Sequence, residues 1–153
     1  MRHARGQPRR AGSAARAGGR LKHALPLLLQ SASTARDQQS AVLAQARQAQ
    51  GQAQATLERL REFRADCLAR SAGGTLRGSD GGAMRDYQRF VDRLDEAITM
   101  QQHELGRRAE RVAGEQQRLQ HCQQRVLAFE ALQRREAQAA AARAQRREQR
   151  ESD

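Results

Sequence analysis

The sequence predicts an all-α fold, a long antiparallel two-helix coiled-coil hairpin, on three observations. Apolar residues recur at seven-residue spacing through most of the chain, which is the spacing that keeps one face of a helix against a partner helix. One glycine-rich stretch, residues 71–83, separates two such runs and predicts a loop. Aromatic residues make up only 3% of the 153 residues, so the chain has few large side chains for a globular core.

The second half of the chain carries the more regular apolar pattern. Its first row recurs every seven residues and comprises Met84, Val91, Ile98, Leu105, Val112, Leu119 and Val126. A second row follows three residues later and comprises Tyr87, Leu94, Cys122 and Phe129, with Gln101, Arg108 and Glu115 between them. The pattern predicts a helix over about 84–148 whose seam is weak in its polar middle.

The first helix is predicted over about 25–70, with Pro26 in its first turn, where proline is tolerated. Its expected seam consists of Leu25, Leu28, Ala32, Ala35, Gln39, Val42, Ala46, Ala49, Ala53, Thr56, Leu60, Phe63 and Cys67. Alanine dominates the middle, so close but thin packing is expected there. Folding back at the loop pairs residues whose numbers sum to about 154. Gly51 then lies near Gly106, which suggests a close crossing.

The N-terminal residues differ in composition from the rest of the chain. The net charge of +11 is uneven, because Met1–Ala24 contains seven basic residues and no acidic one. We therefore divide the chain into a disordered basic extension, 1–20, and the coiled-coil hairpin, 21–150. The extension is either an unselected addition or an arm for nucleic acid or a membrane surface. Residues 24–29 imitate a short signal peptide, but Pro26 interrupts the apolar run.

The residues that carry chemistry in other proteins form no recognisable site in this sequence. None of the four histidines stands at a metal-binding spacing, and the two cysteines make no disulfide framework, which indicates a reducing compartment. No nucleophile–base arrangement stands out, so we predict no enzyme activity, no metal and no cofactor. Acidic residues are interspersed with the arginines of the body, which disfavours specific nucleic-acid binding. A basic coiled-coil nucleic-acid-binding protein or a generic scaffold is the alternative function.

One aromatic residue stands beside the predicted seam. If Val91 and Ile98 lie in the seam, Phe90 and Ala97 lie on its flank, a position that is usually polar. A phenylalanine there either widens the core or presents an apolar patch to a partner.

Two blocks of sequence resemble the FliJ family of flagellar export proteins, which belongs with the coiled-coil stalk proteins of type III secretion. One block is Leu57-Glu58-Arg59-Leu60-Arg61-Glu62-Phe63-Arg64-Ala65-Asp66-Cys67-Leu68, before the glycine-bearing loop. The other is Tyr87-Gln88-Arg89-Phe90 followed by Leu94, Ala97 and Ile98, and it is the more specific of the two. Phe63 and Cys67 stand where the family usually has tyrosine, so this chain cannot make contacts through tyrosine hydroxyls at these two positions.

The resemblance implies a non-enzymatic component of the flagellar type III export apparatus, with a role in flagellum biogenesis and hence in motility and chemotaxis. The implied partners are the hexameric flagellar export ATPase, the cytoplasmic domain of the export gate, and export chaperones. The protein would be cytoplasmic and would associate peripherally, through these partners, with the inner face of the cell membrane at the flagellar base.

The resemblance also implies two binding regions, one at each end of the hairpin. Contact with the export gate would lie at the loop end and involve Leu60, Phe63, Tyr87, Phe90, Leu94 and Ala97. The paired helix ends would enter the ATPase ring. There the segment Arg134–Arg150 is predicted to extend past the first helix and to present Arg143, Arg146, Arg147 and Arg150 to acidic groups of the ring.

Overall fold

The structure, a computed structural model, describes residues 11–72 and 81–153, with side chains from residue 18 onward. It contains two helices, α1 (Ala11–Arg70) and α2 (Gly81–Ser152), and the described ranges contain no strand. The prediction of an all-α, two-helix fold is therefore confirmed. Most of the predicted loop at 71–83 lies outside the described residues.

Helix α1 begins earlier than predicted. It starts at Ala11, so residues 11–20 are helical and not disordered as expected; the predicted disorder of residues 1–10 lies outside the described residues. Four of these ten residues are alanine, which has the highest helix propensity, and three are glycine, which has a low one. Pro26 consequently lies inside the helix and not in its first turn. Burial of the neighbouring Leu25, which is 5% exposed, helps to offset the backbone hydrogen bond that proline removes.

The chain packs as two compact units. We call Ser40–Arg118 the loop-end unit, because it contains the end of α1 and the start of α2. We call the described residues of Met1–Gln39, together with Leu119–Asp153, the terminal unit. Each has its own buried apolar residues.

In the loop-end unit the two helices run antiparallel. Tyr87 Oη donates to the carbonyl of Cys67 at 3.2 Å, Gln101 Nε2 to that of Ala53 at 3.1 Å, and Arg108 Nη1 to that of Ala49 at 2.7 Å. Residue numbers thus fall along α1 as they rise along α2. The register is close to the one expected from folding the sequence back at the loop.

The α1 side of this seam differs from the prediction in its second row. The first row is right: Ala46 and Ala53 are buried, and Leu60 and Cys67 are half-buried. The second row follows four residues later and not three, so that it comprises Leu43, Gln50, Leu57 and Arg64. The residues predicted for it, Val42, Ala49, Thr56 and Phe63, lie beside the seam. Leu43 and Leu57 are only 4% and 3% exposed, and each buries more apolar area than the residue predicted in its place, Val42 or Thr56.

The α2 side of the seam follows the prediction. Val91 and Leu94 are buried, and Ile98, Leu105 and Val112 are half-buried. Met84 is the exception, because it is 49% exposed. It lies at the level where α1 ends, so little of α1 is available to cover it.

The polar middle of α2 is tied to α1 and is not simply a weak stretch. Gln101 and Arg108 donate to α1 carbonyls at the alanine-rich level, where methyl side chains leave the backbone within reach. Glu115 is 6% exposed and accepts from Arg118 Nη1 at 3.0 Å. The suggested close crossing at Gly51 and Gly106 is wrong, because a Cβ added to either glycine would meet nothing within 4 Å.

The terminal unit joins α1 and α2 through apolar burial and one ion pair. Leu25, Ala32 and Val126 are buried, and Lys22 Nζ lies 2.8 Å from Glu136 Oε1. The prediction that α2 extends past α1 from Arg134 onward is therefore wrong, because Lys22 of α1 still lies beside Glu136. The continuously exposed part of α2 begins at Gln145.

Candidate functional site

An exposed pair of phenylalanines marks the loop-end unit. The rings of Phe63 and Phe90 lie edge to face, with centroids 6.0 Å apart and planes at 83°. The two residues, which we call the aromatic pair, are 49% and 43% exposed. Each stands one residue before a seam residue, Arg64 on α1 and Val91 on α2, so both rings lie on the same flank. Of the two interpretations of Phe90, the structure therefore favours the surface patch over a widened core.

The other residues assigned to the gate contact are less accessible than the aromatic pair. Leu60, Tyr87 and Ala97 are half-buried, and the tyrosine hydroxyl is occupied by the carbonyl of Cys67. Leu94 is only 8% exposed and lies in the seam. Leu94 therefore holds the helices together and offers little surface to a partner.

An ion pair beside the aromatic pair was not anticipated from the sequence. Arg64 Nε donates to Asp95 Oδ1 at 2.5 Å, and Arg64 Nη2 lies 3.4 Å from Asp95 Oδ2. This hydrogen bond, followed by the attraction of the two charges, raises the pKa of Arg64 above its ordinary value. The signal was present in the sequence, because Arg64 stands four residues after Leu60, in the row that the seam uses.

Charged residues border the aromatic pair in an ordered way. Each phenylalanine has one arginine and one aspartate three or four residues away on the same helix face: Arg59 and Asp66 on α1, Arg93 and Asp86 on α2. All four are exposed. Because the helices run antiparallel, the two arginines lie level with each other on the side away from the loop, and the two aspartates on the loop side. The aromatic pair therefore has a rim that is positive at one end and negative at the other.

The terminal unit carries the basic residues assigned to the ATPase contact. Arg143 Nη2 lies 3.1 Å from Glu136 Oε1. Hydrogen bonds from Lys22 and then from Arg143 lower the pKa of Glu136 below its ordinary value. Arg146, Arg147 and Arg150 are exposed and form no ion pair with any described side chain. Three of the four predicted arginines thus project from the exposed end of α2.

The described residues offer little for covalent or metal chemistry. Cys67 and Cys122 are free, half-buried thiols. Within the described ranges, no group of three or more histidine, cysteine or carboxylate side chains is arranged to hold a metal ion. Neither described helix contains a stretch apolar enough to cross a lipid bilayer.

Comparison with known proteins gives the family. The family model described as flagellar FliJ protein matches residues 21–153. The chain belongs to the FliJ family. It is therefore a coiled-coil protein of flagellar protein export, and this is a family of structural export components. No curated protein and no solved structure matches the chain.

Proposed function

We propose that this chain is the stalk-like coiled coil that links the hexameric flagellar export ATPase to the cytoplasmic domain of the export gate. The aromatic pair is the observation that carries the proposal, since it exposes two large apolar rings in a chain of the FliJ family. On this proposal the protein has no enzyme activity of its own. It also handles export chaperones, and it lies in the cytoplasm at the inner face of the membrane, held there by its partners.

The gate contact is proposed to centre on the aromatic pair. Large, partly exposed aromatic rings supply much of the binding energy in many protein interfaces, where they are covered by the partner. The charged rim adds orientation. A partner segment fits best when it carries acidic residues at the end that meets Arg59 and Arg93, and basic residues at the end that meets Asp66 and Asp86.

The ATPase contact is proposed to lie at the exposed end of α2. Arg146, Arg147 and Arg150 lie within about one turn of each other and form no ion pair with a described side chain. The same exposed segment also contains the acidic residues Glu148, Glu151 and Asp153. Exposed charges attract an acidic surface over a distance of about 10 Å at 0.1 M salt. This half of the proposal therefore requires that ATPase stimulation weaken as the salt concentration rises.

Replacing Phe90 tests the gate contact. We expect Phe90→Ala to preserve the helical content and to weaken binding to the isolated cytoplasmic domain of the gate by about tenfold or more, as for a central interface aromatic. The fold should tolerate the change because the ring is already 43% exposed. Circular dichroism measures the helicity, and titration calorimetry measures the affinity.

Two further variants make the result specific. Leu127→Ala removes a side chain that is 60% exposed in the terminal unit, and it should leave gate binding unchanged. Leu94→Ala removes a buried seam residue and should destabilise the fold by about 2–5 kcal/mol. If Phe90→Ala unfolds the protein as Leu94→Ala does, or binds the gate with unchanged affinity, the proposed gate contact is wrong.

A further inference from the structure

In the loop-end unit, α1 carries two rows of residues that compete for one place in the seam. Ala46, Ala53, Leu60 and Cys67 form a row that both arrangements share. The observed second row is Leu43, Gln50, Leu57 and Arg64, and the row one residue earlier is Val42, Ala49, Thr56 and Phe63. Each of the two repeats every seven residues beside the shared row. Either therefore completes a coiled-coil seam.

The two rows are close in apolar content but differ in what they leave half-buried. The observed row buries two leucines, yet it also holds Gln50 and Arg64 in half-buried positions. The alternative row would bury Val42 and Phe63 and would move those two polar side chains toward solvent. Removing a half-buried charge from the seam favours the alternative row, whereas losing the two leucines disfavours it.

One contact between side chains across the two helices favours the observed row over the alternative. Among the described residues of the loop-end unit, Arg64–Asp95 is the ion pair that joins α1 to α2; the others in this unit lie within α2. In the remaining hydrogen bonds described between the two helices, the acceptors are backbone carbonyls of α1. Every residue has such a carbonyl, so these bonds do not depend on which side chains form the second row. Asp95 therefore stabilises the observed row together with the burial of Leu43 and Leu57.

We propose that α1 of the loop-end unit has two rotational settings about its helix axis, which differ by about 50° as the heptad geometry requires. The Arg64–Asp95 pair stabilises the observed setting. The observed setting presents Phe63 on the surface. The other setting turns Phe63 into the seam opposite Val91 and leaves Phe90 without its aromatic neighbour. One consequence rests on the proposed function. Breaking the Arg64–Asp95 pair allows Phe63 to turn into the seam, which removes one of the two rings that dock the gate.

Engineered disulfides report the two settings without any partner protein. The register places positions 56 and 57 level with Ile98, so Leu57→Cys/Ile98→Cys reports the observed setting and Thr56→Cys/Ile98→Cys the alternative. Both pairs are built in a background with Cys67→Ser and Cys122→Ser, which removes the natural thiols. We expect Asp95→Ala to raise the oxidation yield of the 56/98 pair several-fold and to lower that of the 57/98 pair. Adding Phe63→Ala should reverse the rise.

Asp92→Ala is the matched control, because Asp92 is exposed and its hydrogen bond among the described residues lies within α2, from Gln88. It should change neither yield. Disulfide yields that are the same with and without Asp95 would show a single setting. A rise in the yield of both cysteine pairs would show general loosening of the helices. Either result would overturn the proposal. Circular dichroism on each variant establishes that the helices persist. A failure of gate binding alone would contradict the proposed function and leave the rotation standing.

Discussion

At the scale of single residues, two neighbours on α1 have opposite positions: Phe63 is exposed, whereas Arg64 lies in the seam. The sequence predicts Phe63 in the seam, because it belongs to a row that repeats every seven residues, three residues after the shared row. The structure instead has Phe63 exposed and Arg64 half-buried against Asp95. Sequence periodicity does not separate the two rows, since both repeat every seven residues. Asp95, the partner that holds Arg64 in the seam, lies on the other helix, 31 positions away.

Glu104 gives a prediction at the same scale. Hydrogen bonds from Arg107 and then from Arg108 lower the pKa of Glu104 below its ordinary value of 4.5. A lowered pKa means that the folded state favours the carboxylate, so the stabilisation is fully present above pH 4.5 and is lost as the pH falls through the folded-state pKa. We expect Glu104→Gln to lower the melting temperature slightly at pH 7 and to have a smaller effect at pH 3, which thermal denaturation at both pH values measures.

Glu110 provides the control that distinguishes loss of the Glu104 contacts from loss of a negative charge alone. Glu110 is exposed and forms no ion pair with any described side chain. Glu110→Gln should therefore leave the melting temperature nearly unchanged at both pH values. High salt should also reduce the effect of Glu104→Gln, since both partners are accessible to solvent. An equal effect of Glu104→Gln at pH 7 and pH 3 would contradict the charge-based explanation.

At the scale of elements, the rows of α2 could be predicted from the sequence, whereas the role of its polar middle could not. Its apolar residues recur without a break, so one seam satisfies them. Gln101 and Arg108 appear in that pattern only as interruptions. They reach α1 carbonyls because α1 presents Ala49 and Ala53 at the same level. That match depends on the register of the two helices, which neither helix specifies alone.

Ala53 tests this account of the polar middle. It is 1% exposed, and its carbonyl accepts from Gln101. We expect Ala53→Leu to destabilise the protein by about 1–3 kcal/mol, because a larger side chain overfills the seam and separates Gln101 from the carbonyl. Denaturation with urea measures the loss. Ala44→Leu is the control, because Ala44 is exposed on the same helix. Alanine and leucine have similar helix propensities, so this change should have little effect. A stabilising effect of Ala53→Leu would mean that the middle of the seam is underpacked.

At the scale of the whole molecule, the two proposed contact surfaces belong to different units. The net charge is +11, and the exposed end of α2 carries three arginines without described partners. The exposed aromatic pair belongs to the other unit. The predicted overhang from Arg134 was too long because it assumed that α1 begins near Pro26. Residues 11–20 of the helix have no apolar period, so sequence periodicity does not indicate that they are helical.

The two proposed contacts should therefore be separable. We expect deletion of residues 145–153 to abolish stimulation of the export ATPase and to spare gate binding, because it removes Arg146, Arg147 and Arg150 without touching the loop-end unit. Phe90→Ala should do the reverse. ATP hydrolysis and affinity for the gate domain are measured on both variants. In the full-length chain, replacing those three arginines by glutamine should match the deletion, whereas Glu148→Gln with Glu151→Gln should preserve stimulation. Undiminished stimulation after the deletion would exclude this end of α2 as the ATPase contact, even if gate binding behaves as expected.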